Sequence, residues 1–88
     1  MKKQYLIESP HTKEECLRAL DETMAMGPAV LSKFKWGCAT GDHTGWAMVE
    51  AMDKDEAKGI VPKVSRKKSR IVEVSEVSPE EIRSYHEM

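Results

Sequence analysis

The sequence predicts an α+β fold in which one antiparallel sheet carries helices on one face. Three observations predict it. Strand-like segments alternate with helix-like segments, three capping sequences mark helix starts, and a glycine-punctuated turn joins two strand-like segments mid-chain. With 88 residues, the chain has room for one domain, 1–88, with a small core.

The first strand and first helix have the clearest local signals. Residues 4–8 are rich in strand formers and end before a proline. Thr12 and Glu15 then form a capping box, and the helix runs to about Met26, where a Gly-Pro pair stops it. The apolar residues of this helix recur at helical spacing and predict one buried stripe: Cys16, Leu17, Leu20 and Met24.

Residues 33–51 predict a hairpin that turns through 40–45. Its second strand is apolar on both sides, so each face of the sheet needs a cover. One side of this strand carries small residues, which suit close packing of helices: Ala47, Val49 and Ala51. The other side carries larger residues, which are expected on the opposite, open face: Trp46, Met48 and Glu50.

The first strand of this hairpin has an ambiguous register, because the turn is too long to fix it. In one register it is an edge strand, with Phe34 and Trp36 in the core and Lys33 and Lys35 on the open face. In the other register, Trp36 and Cys38 line a pocket on the open face.

The remaining elements follow in order. Asp53 caps a short helix that Pro62 limits, and a basic linker spans residues 63–70. A last strand is predicted at 70–77, and Ser78 opens a terminal helix.

This strand-helix-strand-strand-helix-strand order matches the ferredoxin-like βαββαβ arrangement, with a C-terminal helix appended. Its first two strands run the same way, so the loop after the first strand lies at the same end of the sheet as the hairpin turn. We therefore expect His11 beside Asp42 and His43.

The segment Gly45-Trp46-Ala47-Met48-Val49-Glu50-Ala51 before an acidic cap resembles a strand of small uncharacterised prokaryotic domains of the dimeric α+β-barrel superfamily. The resemblance implies two ferredoxin-like subunits that press their open sheet faces together as a homodimer. Members of this superfamily include cofactor-independent monooxygenases, isomerases, haem proteins and proteins of unknown role, so fold membership alone does not choose a function. Haem-binding relatives usually present a histidine from the second helix, and residues 53–61 contain none, so no cofactor is expected.

The open face is the first candidate site. Trp46, Met48 and, in one register, Trp36 would line a pocket for a ligand, while Arg70 would reach a ligand's acid group. Desolvation beside a tryptophan would favour the protonated form of Glu50 and suit it to proton transfer, together with His11 or His43. A simple dimer interface explains the same face.

The loop end is the second candidate site. His11, Cys38, Asp42 and His43 are residue types that a transition metal binds, but no HxH or CxxC spacing is present. We expect a structural or solvent-exposed role for them in preference to a metal site. Cys16, within the apolar stripe, is expected to be an inert core residue.

Charge and composition narrow the class of partner. The formal net charge is −1, and the basic run 66–70 lacks an accompanying aromatic motif, so we expect a solvated loop that pairs with acidic helices and no nucleic-acid partner. No apolar run approaches a membrane span, and the N-terminus does not resemble a signal peptide, so a cytoplasmic protein is expected.

The leading functional hypothesis is therefore a homodimer that binds a small, partly apolar organic molecule on the open sheet face. One alternative is an enzyme without a cofactor, similar to a monooxygenase or isomerase, that uses Glu50 with His11 or His43. The other is a module whose open face serves only assembly.

Overall fold

A computed structural model describes residues 2–87 of the chain. Its strands are β1 (Lys3–Pro10), β2 (Phe34–Trp36), β3 (Thr44–Ala51) and β4 (Arg70–Val74). Its helices are α1 (Cys16–Ala25), α2 (Pro28–Lys33), α3 (Lys54–Lys58) and α4 (Pro79–His86), with short 3-10 turns at Cys38–Thr40 and Arg66–Lys68. The predicted α+β class is confirmed.

The four strands form one antiparallel sheet in the order β2-β3-β1-β4. β1 lies between β3 and β4, with Ile7 opposite Ala47 on one side and opposite Ile71 on the other. β2 is an edge strand that pairs only with β3. Because β1 and β2 both run antiparallel to β3, they are parallel to each other, as predicted.

Alternate residues divide the sheet into a covered face and an open face. Ile7 is fully buried, and its neighbours on the covered face form the core with the helices, α3 contacting three of the four strands. The predicted orientation of β3 is confirmed, because Ala47, Val49 and Ala51 are buried while Met48 and Glu50 are exposed. The open face therefore carries the larger set, as the alternation of the sequence indicated.

The predicted capping hydrogen bonds are formed. Thr12 and Glu15 exchange two hydrogen bonds, the Thr12 amide donating to Glu15 Oε1 at 2.9 Å and the Glu15 amide to Thr12 Oγ1 at 3.2 Å. Asp53 Oδ1 and Ser78 Oγ each accept from the backbone amide three residues on, at 2.8 and 3.1 Å. Asp53 and Ser78 therefore cap α3 and α4, whereas the Thr12–Glu15 pair closes the turn that leads into α1, which begins at Cys16 without a side-chain cap.

The predicted stripe of α1 is wrong in its orientation. Ala19 and Thr23 are the buried residues, whereas Leu17 and Met24 are 69% and 58% exposed. The small side chains allow close packing, and the Thr23 hydroxyl is satisfied because it donates to the Ala19 carbonyl at 2.8 Å.

The predicted hairpin is formed by β2 and β3 with bounds that agree within one residue, but the sequence analysis did not predict α2, which precedes it. Pro28 opens this second helix at its first turn, where a missing amide hydrogen costs nothing. The register places Phe34 opposite Ala47 and Lys35 opposite Trp46. The alternative that put Trp36 in an open-face pocket is therefore wrong, since Trp36 lies on the covered side with Phe34.

α4 stands apart from the rest of the molecule. All its residues, Pro79–His86, are exposed, including Ile82 and Tyr85 at 48% and 61%. Within residues 2–87, no helix combines the length and the apolar character needed to cross a bilayer.

Candidate metal centre

The loop after β1 and the loop before β3 meet at one end of the sheet, as predicted. The backbone amide of His11 donates to the carbonyl of His43 at 2.9 Å, which extends the pairing of β1 with β3 beyond the last strand residues. This bond fixes the two histidines side by side, with ring centroids 6.0 Å apart.

Four side chains converge where these loops meet the start of α1. One donor atom from each of His11, Cys16, Cys38 and His43 lies within 4.8 Å of the other three. His11 is buried, and the other three are half-buried. Four donors around a tetrahedral zinc ion stand about 3.3–3.8 Å apart, given Zn–S and Zn–N bonds of about 2.3 and 2.0 Å. A contraction of at most about 1.5 Å between any two donor atoms would therefore close the cluster on an ion.

Within this cluster, His11 Nε2 lies 3.3 Å from Cys38 Sγ. Burial, followed by the neighbouring Cys16 thiol, raises the pKa of Cys38 to about 11. Both cysteines are free thiols. Without a metal, Cys38 is therefore protonated at neutral pH, and an ion that binds it must displace that proton.

Both histidines have a ring nitrogen without a hydrogen-bond partner among the described residues. Burial lowers the pKa of His11, and the charge of nearby His43 lowers it further. The Ser9 backbone partly offsets this effect, although it makes no well-aligned hydrogen bond to the ring. Within residues 2–87, the Nδ1 atoms of both histidines are buried and have no hydrogen-bond partner. Neutral imidazoles with an uncommitted ring nitrogen are the form in which histidine binds metals.

Aromatic and glycine residues shape the pocket around the cluster. The ring of Trp36 lies 6.0 Å from that of His11 and stacks on Phe34 at 5.3 Å. A Cβ on Gly37 would stand 2.6 Å from the carbonyl oxygen of Asp42, so only glycine fits where this loop closes on itself. The loop that carries Cys38 and His43 is thus held in one conformation by close backbone contact.

An ion pair anchors the start of α1 next to the cluster. Lys68 Nζ lies 2.6 Å from Glu15 Oε1. The hydrogen bond from Lys68 and the one from the Thr12 backbone lower the pKa of Glu15 to about 2. The basic run 66–70 therefore pairs in part with an acidic residue, as expected, and Arg66 donates from Nη2 to the Val61 carbonyl at 2.9 Å.

The membership of the cluster differs from the predicted set. Asp42 is exposed, and its carboxylate accepts a hydrogen bond from the Thr44 hydroxyl at 2.8 Å, which is the turn role that the sequence also allowed. Cys16 lies in the cluster in place of Asp42 and is half-buried, so its predicted position in the buried core is wrong. One signal was available: four residues separate His11 from Cys16, and four separate Cys38 from His43.

The open face holds the other predicted site residues. Across one row of the sheet, Lys35 lies opposite Trp46, Trp46 opposite Glu8 and Glu8 opposite Arg70. The next row is apolar, with Met48 opposite Leu6 and Leu6 opposite Val72. A shallow depression of about 270 Å³ lies over the β2 side of these two rows.

Glu50 lies on the open face, near the end of β3 that is farther from His43. It lies six residue steps of about 3.3 Å each from Thr44, which adjoins His43. His11 is buried at the Thr44 end of β3, because the preceding residue Pro10 lies opposite Thr44. Within one chain, the structure does not bring Glu50 together with either histidine.

Comparisons with known proteins give no further guide to the site. No family model matches the chain, and searches of curated proteins and of solved structures find no match.

Proposed function

We propose that this protein binds one zinc-like divalent ion through His11, Cys16, Cys38 and His43. The observation that carries the proposal is the convergence of four donor atoms within 4.8 Å from three segments of the chain. Thiolate and imidazole are the ligands that zinc prefers among protein side chains. Two thiolates also neutralise the 2+ charge, so the half-buried site would carry no net charge once the two thiol protons leave.

The ligand count indicates what the ion would do. Four protein ligands complete a tetrahedron and leave no open position for a water molecule, which is typical of structural or storage sites and unlike hydrolytic ones. The ion would join the end of β1, the start of α1 and the hairpin loop. This supports a role in holding this end of the sheet together, or in sequestering the ion.

A zinc titration followed by native mass spectrometry tests the proposal. Wild-type protein, prepared with reductant and stripped of metal, should take up one zinc ion per chain and lose two protons on binding. Cobalt should give the visible absorption of a tetrahedral thiolate site. Variants C16S and H43A should lose most of this affinity.

Two matched controls keep the test specific. D42N removes a carboxylate from the same loop but outside the cluster, and H86A removes the third histidine, on exposed α4. Both should bind zinc as the wild type does. Equal loss in the control variants, or no zinc uptake by the wild type, would contradict a site at these four residues.

We further propose that the chain is a ferredoxin-like subunit of a homodimer, in which the open faces meet and enclose a pocket for a small, partly apolar organic molecule. The strand order β2-β3-β1-β4 with antiparallel neighbours supports the ferredoxin-like arrangement. The apolar row on the open face supports the dimer, because Met48 and Leu6 remain 57% and 38% exposed within the described residues 2–87.

Light scattering on two lysine variants tests the dimer. M48K places a charge in the centre of the open face and should shift the mass towards the monomer. L17K places the same charge on an equally exposed residue of α1 and should not. A wild-type monomer at high concentration would contradict the proposal. If the dimer forms, loss of ligand mass on W46A would indicate binding, and loss of turnover on E50Q would favour the enzyme alternative.

A further inference from the structure

The two cysteines of the cluster are placed to react with each other as well as to bind an ion. Their sulfur atoms are no more than 4.8 Å apart. They lie on different elements, Cys16 at the first residue of α1 and Cys38 on the 3-10 turn between β2 and β3. Neither sulfur is committed to a disulfide elsewhere.

We infer that the centre is a redox-controlled metal site, in which hydrogen peroxide joins Cys16 to Cys38 and thereby releases the ion. This inference rests on the proposed zinc site. A disulfide needs sulfur atoms about 2.05 Å apart, so at most about 2.7 Å of the gap must close. Cys38 is half-buried on a short turn next to the exposed residues 39–42, so its side chain can turn towards Cys16 while the backbone contact at Gly37 is kept.

The chemistry balances with peroxide as the only added reactant. One cysteine sulfur attacks the peroxide, an S–O bond forms, the O–O bond breaks, and the departing hydroxide takes a proton to become water. The second sulfur attacks the resulting sulfenic acid, an S–S bond forms, and the S–O bond breaks to release a second water after protonation. The two sulfurs lose two electrons, which reduce the two peroxide oxygens.

The consequence for the ion follows from the ligand count. A disulfide removes both thiolates, and the two imidazoles that remain supply neither the negative charge nor the four bonds of the complete site. His11 and His43 alone would not retain zinc against a chelator. Reduction of the disulfide restores the site, so the cycle is reversible.

The test treats zinc-loaded wild-type protein with one equivalent of hydrogen peroxide in the presence of a chromogenic zinc chelator. We expect release of one zinc per chain as two thiols per chain disappear. The denatured, unreduced mass should fall by two hydrogens, and the chain should still run as a monomer on non-reducing gels. Dithiothreitol followed by zinc should reload the site.

Variants and zinc-free protein separate this inference from the proposed function. D42N should respond as the wild type does, whereas C38S should form no intrachain disulfide, which the unreduced mass reports whether or not it binds zinc. If wild-type protein takes up no zinc, the proposed function fails, and the disulfide is still scored on the metal-free protein. If the protein binds zinc but keeps it under peroxide, or loses its thiols to sulfinic acid or to an interchain disulfide, the inference alone is overturned.

Discussion

Zinc should stabilise the wild-type fold and should fail to stabilise C38S. An ion that binds only the folded chain adds about 2.7 kcal/mol to the free energy of unfolding when its free concentration is 100 times the Kd. In a domain of this size, 1 kcal/mol shifts the Tm by about 4–8 °C. Saturating zinc should therefore raise the wild-type Tm by about 10–20 °C.

The Cys38→Ser variant separates the metal effect from the packing effect. Serine is close to cysteine in size, so the metal-free variant should melt within a few degrees of metal-free wild type, since Cys38 is only half-buried. Circular dichroism melts with and without zinc give both comparisons, and D42N serves as the variant that keeps the full response. An equal zinc-induced rise in C38S and wild type would refute the assignment of Cys38 as a ligand.

Three further outcomes follow from the structure. Zinc displaces thiol protons when it binds, and the pKa of Cys38 is about 11 without metal. The zinc affinity, measured by competition, should therefore fall by up to about 100-fold per pH unit as the pH is lowered around neutrality. An affinity that does not change with pH would contradict thiolate binding. The lowered pKa of His11 keeps that imidazole neutral below its ordinary value of 6.5, so its protonation should weaken binding only at more acidic pH. Gly37→Ala places a Cβ 2.6 Å from a backbone oxygen and should weaken zinc binding at least tenfold. Gly59→Ala is the control: its new Cβ has its nearest contact at 3.2 Å, and it should leave zinc binding unchanged. Ile7→Ala empties a fully buried position in the central strand and should lower the free energy of unfolding by about 2–5 kcal/mol in urea titrations; a loss below 1 kcal/mol would mean that the core collapses around the gap.

The features that local chemistry determines could be predicted from the sequence. Asp53 and Ser78 bond the amides three positions on, so the starts of α3 and α4 follow from short motifs, and the Thr12–Glu15 pair marks the turn just before α1. The facing of β3 also follows from its alternation, because small Ala47 and large Met48 cannot exchange sides without exposing the core.

The features that depend on tertiary packing could not be predicted in this way. Helix α1 buries Ala19 and Thr23 in place of its larger residues, because the available space and not the hydrophobicity decides the contact. Cys16 belongs to the apolar stripe of the sequence and is therefore predicted in the core. In the structure it lies beside two loops that are distant in sequence. Asp42 was included in the predicted cluster because it is adjacent to His43, but its side chain caps its own turn.

The ligand spacing along the chain bears on the order of folding. His11 and Cys16 form one short pair and Cys38 and His43 form another, while 27 positions separate His11 from Cys38. Each pair is close enough in sequence to hold an ion before any sheet exists, and the second pair then joins by closing one long loop. An ion captured early would bring the end of β1 to the hairpin ahead of the other long-range contacts. The centre would then influence the route and rate of folding as well as the stability of its end point.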